Sequence, residues 1–239
     1  MRHLNPSIEE KNRVNFVLEK LSERDFFEAI RIPESRYADM SLDEWIDENY
    51  DYLQSYKLMV YTGATKACIV DELNPFWVIK ISFDRSRNEY YKDHNLVIDF
   101  CEREVENYRK AEEKNLQRYF AATYLFSIID GMYVTIQETV EVDCGVFTDI
   151  FSDSVRSYYS KDDFDSEESY NAAVWDSAED LDNDERIYAI FGKPDESDEE
   201  VDRLVDFIEV NDINDLHCGN WGIAKDGTYV IMDFSGFID

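Results

Sequence analysis

No C-x-x-C pair occurs among the four cysteines of this 239-residue chain, Cys68, Cys101, Cys144 and Cys218. Thiols scattered in this way suit neither a disulfide framework nor a zinc site, and His217 beside Cys218 lacks further ligands at metal spacing. A reducing cytoplasm is the expected home. Long apolar runs are also missing: the longest, such as 76–81 around Lys80, are strand-sized, and residues 1–13 are polar without an apolar signal core. We expect a soluble chain with no membrane span and no secretory signal. Basic charge is scarce, with 24 Lys and Arg against 54 Asp and Glu and a net charge of -30. That balance opposes direct binding to nucleic-acid phosphates. It suits simple solubility, and equally an acidic face for a basic partner. Sixteen of the acids lie between 161 and 200, which reads as an insert or a solvated face.

What is present is core-forming material. A hydrophobic content of 44% can fill one large domain or two small lobes. Ser7 with Glu10 forms a capping-box pattern ahead of Val14, Val17, Leu18 and Leu21 on one helical face. Ser41 with Glu44 repeats the pattern before Trp45, Tyr50 and Leu53. From residue 57 the texture changes to short β-rich runs at 57–61, 67–70 and 76–83, with turn residues between them. A helix over about 97–114 follows, then strands at 124–129 and 132–140 joined by Asp130-Gly131, a strong hairpin signal. Helical pieces, including 199–208, dominate to about residue 210. A last hairpin, 221–224 with 229–232, turns at Asp226-Gly227. The division expected is a helical extension over 1–56, a strand-rich part over 57–140 and a mostly helical part over 141–239, an α+β class overall.

The final hairpin sets chemistry-bearing side chains side by side. Asp215 and Asn220 lie five apart on a loop, and Asp233 returns beside Asn220 once the hairpin closes. An Asp carboxylate with an Asn amide oxygen suits Mg²⁺, which takes oxygen ligands and keeps waters and phosphate oxygens. A second carboxylate could then orient an acceptor hydroxyl and receive its proton. Two plainer readings compete with this one. Asp and Asn commonly cap turns, and Lys80, among apolar neighbours on a strand, is most simply a solvent-facing lysine.

Asp215-Leu216-His217-Cys218-Gly219-Asn220 followed by Asp233-Phe234-Ser235-Gly236 resembles the catalytic loop and metal-binding Asp-Phe-Gly motif of protein kinases, in the wording of bacterial, phage and small-molecule phosphotransferases. Val78-Ile79-Lys80-Ile81 is similar to the family's lysine-bearing third strand. The resemblance implies a bilobal kinase-like fold, with an antiparallel N-lobe sheet plus one helix and a reduced helical C-lobe. It also implies ATP and Mg²⁺ as cofactors. Under it, Lys80 binds the α and β phosphates, Glu104 on the next helix pairs with Lys80 (Glu106 being the neighbouring choice), and Asp215 acts as the catalytic carboxylate. Asn220 and Asp233 hold metal. Gly63, the lone glycine of the first turn, and Lys66 approach the phosphates, and the backbone of Glu138 and Val140 reads adenine as the hinge.

The chain also departs from that family. Ile213-Asn214 replaces His-Arg, removing the arginine that receives an activation-loop phosphate. Six residues follow Asp233, so no activation segment or peptide platform is expected. The function implied is a protein Ser/Thr kinase of minimal type acting on a protein substrate. Open beside it are a small-molecule acceptor, adenylyl transfer on the same fold, and a pseudokinase or acidic protein that occupies a partner. A phage or effector origin would make the host cytoplasm the site of action.

Overall fold

The structure is a computed structural model that describes residues 2, 4–31, 39–63, 65–83, 99–192, 199–214 and 216–235. The chain divides into two compact units, Met1–Glu112 with Ala121–Thr139, and Glu113–Phe120 with Val140–Asp239. Among the described residues no helix is long and apolar enough to cross a membrane.

The first unit is built on a five-stranded antiparallel sheet in the order β1-β2-β3-β5-β4. Its strands are β1 (Leu58–Thr62), β2 (Lys66–Asp71), β3 (Trp77–Ser82), β4 (Thr123–Ile129) and β5 (Met132–Glu138). The β4–β5 hairpin turns where Asp130 has φ 49° and Gly131 φ 85°. Both central residues thus take the left-handed conformation that matches strand twist, which only Gly, Asn and Asp adopt cheaply.

Helices α1 (Ile8–Ser22), α2 (Phe26–Ala29), α3 (Asp39–Glu48) and α4 (Tyr50–Ser55) precede the sheet. Val14, Val17 and Leu21 share one buried core with Phe26, Trp45, Ile69, Ile79 and Ile136. The Ser7–Glu10 capping box forms as expected, each side chain bonding the other's backbone N–H. The helix expected to open at Ser41 already runs from Asp39. Arg13 of α1 is anchored to the end of β2, its Nε donating to Asp71 Oδ2 at 2.6 Å. The helix expected from 97 runs as α5 (Phe100–Glu113), and residue 97 lies outside the described residues.

The second unit carries α6 (Cys144–Val155), α7 (Glu167–Glu179), α8 (Asn183–Phe191) and α9 (Glu199–Val210), then a 3-10 turn (Cys218–Asn220) and the hairpin β6 (Trp221–Ile223) with β7 (Tyr229–Ile231). Trp221 is fully buried and is ringed by Phe147, Phe151 and Phe191. Its indole Nε1 donates to the Leu216 carbonyl at 2.9 Å, so the apolar anchor also satisfies its polar atom. Phe120 packs edge-on to Phe207 and Phe234. The hairpin turns at Gly227, with φ 83°. Over residues 161–192 the acidic segment forms α7 and α8, with its acids exposed.

Candidate functional site

Two groups of candidate residues assemble, one in each unit. In the first, Glu104 lies on the buried face of α5 with Phe100, Cys101, Asn107 and Tyr108. The start of that helix is fixed by Asp99. Its Oδ1 accepts from the Glu102 N–H at 3.0 Å and from Ser82 Oγ at 2.8 Å, and its Oδ2 accepts from the Tyr133 N–H at 3.1 Å. One carboxylate therefore caps α5 and binds it to the ends of β3 and β5. Ser82 completes the joint, its Oγ accepting from the Cys101 N–H at 2.8 Å.

Glu104 then meets two lysines. Lys66 Nζ of β2 lies 2.6 Å from Glu104 Oε1, and Lys80 Nζ of β3 lies 3.2 Å from Oε1 and 3.3 Å from Oε2. All three are buried, with Glu104 0%, Lys66 3% and Lys80 5% exposed. The plain reading of Lys80 as a solvent-facing lysine is thereby corrected: β3 is a central strand with neighbours on both edges, and α5 covers its Glu104 side. Glu106 is exposed, which leaves Glu104 as the partner. Burial, with the charge of Glu104 adding to it, pushes the Cys101 thiol up to about 12, so this cysteine stays protonated and serves as packing.

The strand turn before Lys66 is closed by the Gly63 N–H donating to the Lys66 carbonyl at 2.9 Å, and a Cβ on Gly63 would stand 3.2 Å from that oxygen. At the far end of β5, the Glu138 N–H donates to the Ala122 carbonyl at 2.8 Å and the Thr139 N–H to the Phe76 carbonyl at 2.9 Å. The Glu138 side chain is buried and held by Arg2, whose Nη2 donates to Oε2 at 2.6 Å and whose Nε reaches both oxygens. The Glu138 N–H is thus already used within the sheet. Val140, which opens the second unit, packs its side chain against Gly222.

In the second unit the last hairpin forms where the sequence placed it. The Trp221–Ile231 register brings Asn220 opposite Met232, whose N–H donates to the Asn220 carbonyl at 2.9 Å. Asp233 is the next residue, and its Oδ1 accepts from Ser235 Oγ at 3.0 Å. Asn220 is 7% exposed. Asp215 and Gly236 lie outside the described residues. The segment around Asp215 is bracketed by Asn183 of α8: its Nδ2 donates to the Ile213 carbonyl at 3.4 Å, and its Oδ1 accepts from the Leu216 N–H at 3.3 Å. His217 Nδ1 accepts from the Gly219 N–H at 3.0 Å. A Cβ on Gly219 would lie 2.9 Å from His217 Cε1, so a larger residue there would displace the imidazole.

No three His, Cys, Asp or Glu side chains gather into a metal cluster among the described residues. The fit to Mg²⁺ therefore rests on the chemistry of the hairpin ends. They offer the amide oxygen of Asn220 and the carboxylate of Asp233, donors that suit a hard cation retaining most of its own oxygen shell. Residues that sequence reading missed are Arg2, Asp99, Ser82 and Asn183, together with the direct pairing of Lys66 to Glu104. Each acts through a partner distant in sequence, and only the cap that Asp99 gives to Glu102 is a local pattern. Compared with known proteins, the chain matches no family model, no curated protein and no solved structure.

Proposed function

We propose that the chain is an ATP- and Mg-dependent phosphotransferase, acting as a protein Ser/Thr kinase of minimal type on a bilobal kinase-like fold. The observation that carries this reading is the buried set of Lys80, Lys66 and Glu104 between a 1-2-3-5-4 antiparallel sheet and a single helix. A buried ion pair is a poor stabiliser compared with apolar side chains of the same volume. Three charged groups in that position are therefore better explained by a need to present a fixed ammonium to an anion than by packing.

In this reading Glu104 holds the Lys80 ammonium in place to bind the α and β phosphates, and Lys66 adds a second ammonium on the neighbouring strand. Asn220 and Asp233 hold Mg²⁺, which when bound neutralises charge on the phosphate oxygens. Asp215 orients the acceptor hydroxyl and takes its proton. Glu138 and Val140 border adenine, with the Glu138 carbonyl and Val140 N–H as its partners, and Gly63 lets the first turn close over phosphate. Most of the rate gain would come from positioning and charge compensation. The four free thiols suit a reducing cytoplasm as the place of action.

The test is thermal melting and label transfer with wild type, Lys80→Met and Asp233→Ala. Mg-ATP is expected to raise the melting midpoint of wild type alone, and γ-labelled ATP to transfer label to protein in a mixture of protein and small-molecule acceptors. Transfer only from α-labelled ATP would replace phosphoryl by adenylyl transfer. A midpoint shift without any transfer would leave a pseudokinase. No Mg-ATP shift in wild type would sink the nucleotide reading altogether.

A further inference from the structure

Within the second unit, a cavity of about 280 Å³ opens between α6, α7, α8 and the turn at residues 217 and 218, with Phe151, Trp175, Ala178, Arg186 and His217 among its walls. Its lining is mostly apolar, and its volume is about twice the ~150 Å³ that admits benzene to an apolar protein cavity. Two fused rings would fit. Trp175 leaves half of its surface exposed, and its indole is steadied by Nε1 donating to Glu179 Oε1 at 2.9 Å. This engages one oxygen of the only carboxylate on the cavity wall among the described residues.

Arg186 is the telling residue. Its guanidinium lies 5.8 Å from the Phe151 ring centroid, and Nη2 donates to the Glu179 backbone carbonyl at 2.7 Å. Its Nε is buried without an acceptor. Among the described residues no carboxylate pairs with it, in a chain where acids outnumber bases by 54 to 24. A guanidinium fixed over an aromatic ring, with donors still available, matches a planar carboxylate. His217 lines the same wall.

We infer that this cavity is a binding site for a small flat aromatic carboxylate, its rings against Trp175 and Phe151 and its anion at Arg186. The inference does not rest on the nucleotide reading, since among the described residues no candidate phosphate or metal residue lines the cavity.

Isothermal titration calorimetry of the full chain, without ATP, tests it with 2-naphthoate, the uncharged 2-naphthalenemethanol and the non-aromatic cyclohexanecarboxylate. Saturable one-site binding of 2-naphthoate is expected, with the other two at least about tenfold weaker. Arg186→Gln and Trp175→Ala are each expected to weaken 2-naphthoate by about tenfold or more. Arg186 also satisfies the end of α7, so should its substitution unfold the chain, the half-exposed Trp175 and the uncharged probe still decide. Absence of saturable binding at millimolar 2-naphthoate, equal affinity for the acid and the alcohol, or unchanged affinity in Trp175→Ala would each overturn the inference.

Discussion

Replacing Glu104 by Gln keeps the shape of the side chain and removes its charge. Lys66 and Lys80, at 3% and 5% exposure, would then face each other with an amide in place of the carboxylate that now lies 2.6 and 3.2 Å from their amines. Breaking a buried ion pair from one side costs about 3–5 kcal/mol, because the remaining charge stays buried without its counter-ion. With a urea slope of about 2–3 kcal/mol/M, the unfolding midpoint should fall by roughly 1–2.5 M. Lys66→Met is the informative control: it leaves one ammonium with one carboxylate and exchanges a charged stem for an apolar one of similar length. Its cost should stay below about 1.5 kcal/mol. In the Lys66→Met background Glu104→Gln should cost less than it does alone, and the coupling is readable as a double-mutant cycle. If Glu104→Gln costs under about 1 kcal/mol, as a surface pair would, or if Lys66→Met costs as much as Glu104→Gln, the reasoning about a buried shared carboxylate is refuted.

Arg2→Ala strips the buried Glu138 carboxylate of its guanidinium and leaves the Ala122 N–H at 3.3 Å. We expect a loss of about 3–5 kcal/mol in chemical denaturation, with Arg2→Lys recovering only part because an ammonium cannot reproduce the forked contact. In Gly222→Ala the new Cβ would sit 2.8 Å from Val140 Cβ. Overpacking of this kind costs about 1–3 kcal/mol, and Val140→Ala in the same chain should return much of the lost midpoint. The Tyr188 hydroxyl donates to Asp202 Oδ1 at 2.6 Å; this bond first, then partial burial and the charges of Asp202, Asp184 and Asp206, push the phenol up to about 12. Folding thus raises this phenol above its unfolded value of about 10. Its tie between α8 and α9 is whole below pH 10 and is lost as pH rises through 12. Tyr188→Phe should remove one phenol from the 295 nm titration near pH 12 and leave the part below pH 11 unchanged.

Local pattern carried the elements whose causes are local. Ser7 and Glu10 sit three apart, and the capping box closes within one helical turn. Asp130-Gly131 and Gly227 supply left-handed backbone cheaply, and both hairpins form there. The second hairpin also fixes its register, and so brings Asn220 opposite Met232 and next to Asp233. Ser41 misled because a capping pair specifies a helix start only where the chain before it is not already helical.

Long-range pairing was not legible in the same way. Arg2 and Glu138 are 136 residues apart, and nothing near either one announces the other. Asp99 gave no sign that it would join α5 to β3 and β5, and Asn183 gave none that it would bracket the segment around Asp215.

The sequence by itself determined the α+β class, the hairpins and the oxygen-rich ends of the last one, since these follow from side-chain period, turn chemistry and spacing over a few residues. Only the tertiary structure decided that Lys66 and Lys80 share Glu104. An alternating lysine on a strand and a glutamate in a charged helix look solvated until the sheet gains neighbours on both edges and a helix over its face. The decisive property of these side chains is the water they have lost, and that depends on residues far away in the chain.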